Sequence, residues 1–431
     1  MTIPIAHGSS RAVILLVASL VASAGCLGAQ TTQSPGPKEE KSASGSPPSS
    51  KPRKQFSIVQ FDAAPTSVVV SPTSVESGLQ STSPVAPDQS KSTEKGGKAG
   101  EIVVAPFPIS NPVLGSGLVV VGGYLFPISK KDTVSPTSMV GGGAFYTSNG
   151  SWLWGVGSKL YFSRDRFRFT WAYGKGQLHY DLYGIGNAAG DTGSSIPINQ
   201  GGKALLVEPL IRIRGKLFVG PRYQWRNLDA QAKGDTLPPA INIDPGELKS
   251  TTSALGIHLQ RDLRDNQFYP TTGSLADVVG DFFQGTFGSD FSYRSYTFAF
   301  NKYSSLSPRQ VFAFRIFGCA SAGHVPFYDL CLLGMHNDIR GYKAGRYRDK
   351  LMLTTQAEYR LELPRRFGLV AFVGVGEVAP EIGAFNHDNL KPGGGGGIRY
   401  TLAKKNHVNL RVDYAVGLQG GGVYMGVTEA F

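Results

Sequence analysis

The chain has 431 residues, 41% of them hydrophobic, with 43 Lys and Arg against 31 Asp and Glu and a formal net charge of +12. That hydrophobic content is too low for a helical membrane protein. The basic balance comes with no helix-turn-helix, zinc finger or basic helix, so no nucleic-acid partner is expected.

The N-terminus reads as an export signal. His7 and Arg11 precede the apolar run AVILLVASLVASAG at 12–25, and small residues offer cleavage after Ala24 or after Ala29. Residues 1–29 are assigned to this signal peptide. Cys26 opens a lipoprotein alternative, but Ser23 stands where a lipobox has Leu. No other stretch approaches the roughly eighteen apolar residues of a transmembrane helix. Residues 30–100 are rich in Ser, Pro, Thr and Lys and cannot bury enough apolar surface to offset chain entropy. They read as a disordered linker, with FSIVQFDAAPTSVVV (56–70) as a short docking patch.

From 101 to 431 the texture is uniform. The 55 Gly, 24 Phe and 18 Tyr of the chain suit strands and turns. In RFRFTWAYGK (166–175), Arg166, Arg168 and Thr170 share one face, with Phe167, Phe169, Trp171 and Tyr173 opposite. In TQAEYRLEL (355–363), Gln356, Glu358, Arg360 and Glu362 share a face. In HVNLRVDYAV (407–416), so do His407, Asn409, Arg411 and Asp413. Period-two alternation means strands. Strands of about ten residues with aromatic-rich apolar faces match a tilted membrane crossing. The expectation is an all-β fold, a transmembrane antiparallel β-barrel. It must close, because an open edge would leave amides unpaired in hydrocarbon.

Strands are expected near 115–127, 138–148, 151–163, 166–182, 203–214, 216–228, 252–264 and 272–284. More follow near 291–304, 309–321, 350–364, 367–378, 393–402, 406–417 and 421–431. Short links fall on one side and the long ones (185–201, 229–250, 322–349, 379–391) on the other, as in outer-membrane barrels. This count is odd, whereas a single-chain bacterial barrel is even. Sixteen strands result if IVVAPFPI (102–109) contributes one or if 166–185 splits. After cleavage at Ala29 two cysteines remain, Cys319 and Cys331. They either pair across the start of loop 322–349 or are independent small buried residues.

RDLRDNQFYPTTGS (261–274), DIRGY (338–342) and EYRLELP (358–364) resemble the bacterial surface antigen family, the BamA- and TamA-like outer-membrane superfamily. YDLYGIGN (180–187) and FPISNPVLGSGLVVVGGYLF (107–126) resemble its upstream part. The resemblance implies that the long loop folds into the lumen and docks through Arg340, Gly341 and Tyr342. A buried guanidinium needs carboxylates. Glu358 faces inward by alternation, as do Asp277 and Asp281, and these are the expected partners. The family's usual aspartate is absent at Gly374, and Glu377 is the nearest substitute. Family members with assembly or secretion roles carry POTRA domains, which residues 30–100 do not resemble. Gly426 and Phe431 fit the terminal signal of barrel substrates, although Tyr424 and Glu429 depart from its pattern.

No catalytic constellation or metal spacing is present. The glycine run KPGGGGGIRY (391–400) lacks a phosphate-loop ending, so no enzyme activity, cofactor or metal is expected. Two function classes remain, with a structural surface protein as a weaker third. One is a barrel that inserts or translocates protein or lipid. The other is a passive or gated channel whose basic residues Arg166, Arg168, Arg212, Arg214, Arg315 and Arg411 favour anions. The expected location is the bacterial outer membrane. The expected partners are its lipids, the barrel assembly machinery during biogenesis and a protein substrate.

Overall fold

The computed structural model describes residues 101–111, 115–129, 131–136, 138–232, 244–266, 268–334, 338–403 and 407–431; the readings made for residues 1–100 lie outside them. The first strands are β1 Glu101–Asn111, β2 Gly115–Phe126, β3 Ser138–Thr147, β4 Trp152–Phe162, β5 Phe167–Leu182 and β6 Ile196–Arg214. Then come β7 Leu217–Ala232, β8 Lys249–Asp262, β9 Gly273–Phe283, β10 Tyr293–Ser307 and β11 Gln310–Gly323. A small hairpin, β12 Cys331–Leu332 with β13 Arg348–Asp349, lies inside the next connection. The series ends with β14 Leu351–Glu362, β15 Phe367–Ala379, β16 Lys391–Ala403, β17 Val408–Gly417 and β18 Gly420–Val427.

The long strands form one 16-stranded antiparallel sheet in chain order. The sixteenth strand is β1, while Phe167–Leu182 is a single 16-residue strand. Two short helices sit in connections, α1 Asn187–Thr192 and α2 Pro245–Leu248. Among the described residues no helix is long and apolar enough to cross a membrane.

The polarity of the sheet is inverted relative to a soluble sandwich. Along β8, Leu255, Ile257 and Leu259 are exposed, while His258 and Gln260 are buried. Along β14, Leu353 and Tyr359 are exposed, while Gln356, Glu358 and Arg360 are buried. Apolar columns outside and charges inside are what a barrel in lipid requires. The first and last strands, β1 and β18, lie against each other. No hydrogen-bonded ladder joins them among the described residues.

The connections at 163–166, 215–216, 308–309 and 363–366 lie at one rim. The ends of β5 and β6, of β7 and β8, of β11 and β14, and of β15 and β16 that their connections join lie at the other. The turn after β8 shows how the local sequence works. Asp265 accepts from the N–H groups of Thr271 and Thr272 and from the Thr271 hydroxyl, and Asn266 accepts from the N–H groups of Phe268 and Tyr269. These are side-chain mimics of turn hydrogen bonds, which Asp and Asn make best. Burial would raise the Asp265 carboxyl, but the Thr271, Thr272 and Asn266 donors outweigh it and hold it below its ordinary value.

Candidate functional site: a loop tip in a ring of charges

Segment 324–350 leaves the long-loop rim and is tied to both sides of the interior. At its base, Cys331 is disulfide-bonded to Cys319 of β11. Asp329 pairs with Arg226 of β7 and accepts from Tyr293 of β10. The Phe327 N–H donates to Glu247 of α2 at 2.7 Å, and the hydroxyls of Tyr328 and Ser250 lie 2.6 Å apart. Burial raises the Glu247 carboxyl, against the Phe327 N–H, which lowers it. Leu333, Ile339, Tyr342 and Tyr347 form an apolar core with Phe317, Met352 and Val378 of the wall. A hydrophobic contact set of this kind lets a long loop hold one shape.

The tip, 339–342, rests on glycines of β15 to β17. A Cβ at Gly376 would meet Ile339 Cδ1 at 2.8 Å, and one at Gly393 would meet the Arg340 carbonyl oxygen at 2.5 Å. One at Gly417 would meet the Tyr342 ring at 2.7 Å. Gly341 itself has φ of 112°, and a side chain there would strike the Val416 backbone at 2.6 Å. Only glycine fits this approach. The Tyr342 hydroxyl donates to the Pro392 carbonyl at 2.6 Å and accepts from the Leu418 N–H at 3.2 Å.

Arg340 is buried with its guanidinium 3.3 Å from the Phe372 ring centroid. Its Nη2 lies 2.6 Å from Glu358 Oε2 and its Nη1 2.5 Å from Asp413 Oδ2. Glu358 also holds Arg360 at 2.8 Å, and Asp413 also holds Arg399 at 2.5 Å. Glu429 completes the circuit, 2.7 Å from Arg399 and 3.9 Å from Arg360. Three arginines and three carboxylates thus alternate around a closed ring. Alternation is how buried charges offset the cost of leaving water, since each carboxylate bridges at least two cations, Asp413 reaching Arg411 as well at 3.8 Å. β14, β16, β17, the loop tip and the chain's last residues each supply members.

The last residues enter this ring because β18 stops at Val427. Thr428 takes φ of 69°, and Thr428, Glu429 and Ala430 are buried. The Phe431 carbonyl accepts from Arg360 Nη2 at 2.8 Å. Gly426 stands opposite Arg411 in the β17–β18 register.

Two of the expected partners of Arg340 are engaged elsewhere. Asp277 lies 2.5 Å from His258 and accepts from Gln260. Asp281 lies 3.4 Å from Arg222, whose Nη1 is 2.8 Å from Glu208. Both aspartates belong to β9, which the register places six strands from β17, so they serve a separate cluster on β6 to β9. Asp413 is the second carboxylate instead. Glu377 does not substitute for the missing aspartate either, because its oxygens accept the Asn386 N–H at 3.0 and 3.2 Å. A Cβ at Gly374 would lie 2.9 Å from Gln356 Cβ, so that position is closed to a side chain.

Asp413 and Arg399 sit in phase with the polar faces of their strands, which is the signal that could have marked them. Tyr424 and Glu429 are the two departures from the terminal-strand pattern, and both touch the docked tip or its ring. Among the described residues there is no cluster of His, Cys, Asp and Glu fit to hold a metal.

Among solved structures, the fold is similar to that of BamA from Haemophilus ducreyi lacking POTRA domains 1-3, at 14% identity and TM-score 0.51 over 76% of this chain and 69% of that one. It is also similar to CdiB from Acinetobacter baumannii (13%, TM-score 0.50, 76% and 59%) and CdiB from Escherichia coli (12%, TM-score 0.50, 76% and 62%). The chain therefore spans less than two thirds of each CdiB chain. No curated protein sequence matches it significantly. The family model for the Omp85 superfamily domain matches residues 142–422, from β3 to β18, and the chain belongs to the Omp85 superfamily.

Proposed function

We propose that this chain is an outer-membrane barrel that inserts or translocates protein or lipid, with segment 324–350 as its plug and the β1–β18 boundary as its opening seam. The observation that carries this reading is the shared ring. Arg340 of the plug and Glu429 beside the seam strand belong to one charge circuit. Moving the plug therefore disturbs the strand that borders the seam.

The chemistry of β1 supports an openable seam. The β1–β2 ladder runs through Pro106↔Val120 and Pro108↔Leu118 without a register shift. Proline has no N–H, so in an intact ladder both nitrogens face the free edge. At these two positions β1 offers no donor to β18. An edge with missing donors separates at lower cost than a complete ladder.

A passive anion channel fits less well. Arg168 is paired with Asp165, and Arg166 and Arg214 are exposed at the short-turn rim rather than lining an interior path. No catalytic step is part of this reading. Its partners are outer-membrane lipids, the barrel assembly machinery during its own biogenesis and a protein or lipid substrate.

The test is reconstitution of the full chain in vesicles. The rate at which an unfolded barrel protein folds into those vesicles is measured beside single-channel conductance in planar bilayers. Faster substrate folding with low resting conductance supports the proposal. Unchanged folding with steady high conductance sinks it in favour of a channel.

A further inference from the structure

We propose that the short-turn rim is a binding belt for the phosphate groups of anionic phospholipids. Two groups of arginines stand apart among the described residues. Those of the interior ring are buried and paired. Those of the rim, among them Arg164, Arg214, Arg261, Arg309 and Arg366, are exposed together with Lys216. Among the described residues, none of these six side chains lies within ion-pair distance of a carboxylate.

The rim has carboxylates, but they are used inside their own turns. Asp132 accepts from the N–H groups of Val134, Ser135 and Arg164. Asp165 pairs with Arg168, and Asp262 with Arg264. Asp265 is turned into the 265–272 hydrogen bonds. Glu362 lies 3.9 Å from His407. These carboxylates keep their charge, but Asp165 and Asp262 are matched by Arg168 and Arg264, and the six remaining cations leave the rim net positive. At the opposite rim exposed charges of both signs mix: Asp229 stands opposite Lys249 in the β7–β8 register, and Asp244, Glu381, Lys203 and Arg294 are also exposed.

The position of the cations selects the ligand. Arg261 follows the exposed column Leu255, Ile257 and Leu259 on β8. Arg366 precedes exposed Phe367 and Leu369 on β15. Cations at the end of an apolar column stand at headgroup depth, where aromatic residues also gather. Phe167, Phe367 and Tyr400 are exposed at this end. A guanidinium there meets phosphate oxygens with paired N–H groups, and an anionic leaflet concentrates such phosphates.

The experiment uses the folded full chain in neutral detergent. Phosphatidylglycerol, phosphatidylcholine and inorganic phosphate are added in separate arms. Lipid retention is read by native mass spectrometry, and stability by the midpoint of heat-modifiable migration. The expected result is saturable retention of phosphatidylglycerol and a raised midpoint, with neither effect from phosphatidylcholine or inorganic phosphate. The triple variant Arg164→Gln/Arg214→Gln/Arg366→Gln should lose most of both effects, whereas Lys203→Gln/Lys249→Gln at the other rim should keep them. Equal effects of the two lipids, a matching effect of inorganic phosphate, or an unchanged triple variant would each overturn the belt.

Discussion

The hydroxyl of Tyr424 accepts the backbone N–H of Gly341 at 2.7 Å and donates to the Tyr342 carbonyl at 3.3 Å. One residue of the last strand thus holds the backbone of a tip that begins more than eighty positions earlier in the chain. This contact and the charge ring are two independent ties between the plug and the edge of the sheet.

Arg340→Ala should undock the tip without unfolding the barrel. Glu358 keeps Arg360 and Asp413 keeps Arg399, so no carboxylate is orphaned. The expected loss is then about 1–3 kcal/mol, below the cost of leaving a buried charge unpaired. Conductance should rise, and protease should cut between residues 338 and 349. Arg340→Lys should restore docking only in part, since an ammonium cannot fork between two carboxylates.

Asp413→Asn should loosen the plug at least as much as Glu358→Gln, because Glu358 joins Arg340 to one further arginine, Arg360, whereas Asp413 joins it to Arg399 and, at 3.8 Å, Arg411. Asp277→Asn should leave the plug in place, since that carboxylate serves His258 and Gln260. Limited proteolysis of the three variants separates these outcomes. Equal cleavage of Asp277→Asn and Asp413→Asn would show that the ring has no special hold on the tip.

Gly393→Val tests the seat without changing charge. Its Cβ would stand 2.5 Å from the Arg340 carbonyl oxygen and 3.0 Å from Ile339 Cγ2. The tip should be expelled while heat-modifiable migration persists, since the clash is with the loop. A variant that conducts and resists protease like the parent would refute this.

Pro106→Ala with Pro108→Ala restores two N–H donors on the free edge of β1. The seam should zip further, raising the thermal midpoint and slowing any substrate-folding activity of reconstituted vesicles. A lower midpoint would mean that the proline rings themselves support the strand.

Acid should weaken the turn after β8. The Asp265 carboxyl is held below its ordinary value, so its contribution is complete at neutral pH, above the unfolded-state value. That contribution is lost as pH falls through the lowered folded-state value. Asp265→Asn should remove this part of the acid dependence while barely changing the slope near pH 7. Parallel melting curves of parent and variant from neutral to acidic pH would contradict it.

The alternation of residues along 166–175, 355–363 and 407–416 was enough to determine strands, inward and outward faces and an inverted barrel. A strand's side chains change face at every step whatever the strand pairs with. The resemblance, not the alternation, implied that Arg340 docks inside; alternation then offered Glu358, Asp277 and Asp281 as its inward partners, and Asp413, on the polar face of 407–416, was not among them. Of the three offered, Glu358 does meet Arg340, but the second partner is Asp413. Which inward carboxylate meets a loop residue depends on where the loop's base is tied and which strands stand beside its tip. Here the tip rests on glycines of β15 to β17, beside Glu358 and Asp413 and away from β9. Nor could a one-dimensional pattern reveal that Glu429 belongs to the ring. Read along the strand, it is a charge in an apolar position. Only the left-handed turn at Thr428 sends it inward, where Arg399 and Arg360 make a buried carboxylate stable. Local chemistry dictates what each residue can bond, but the tertiary arrangement of the strands decides which residues are near enough to do so.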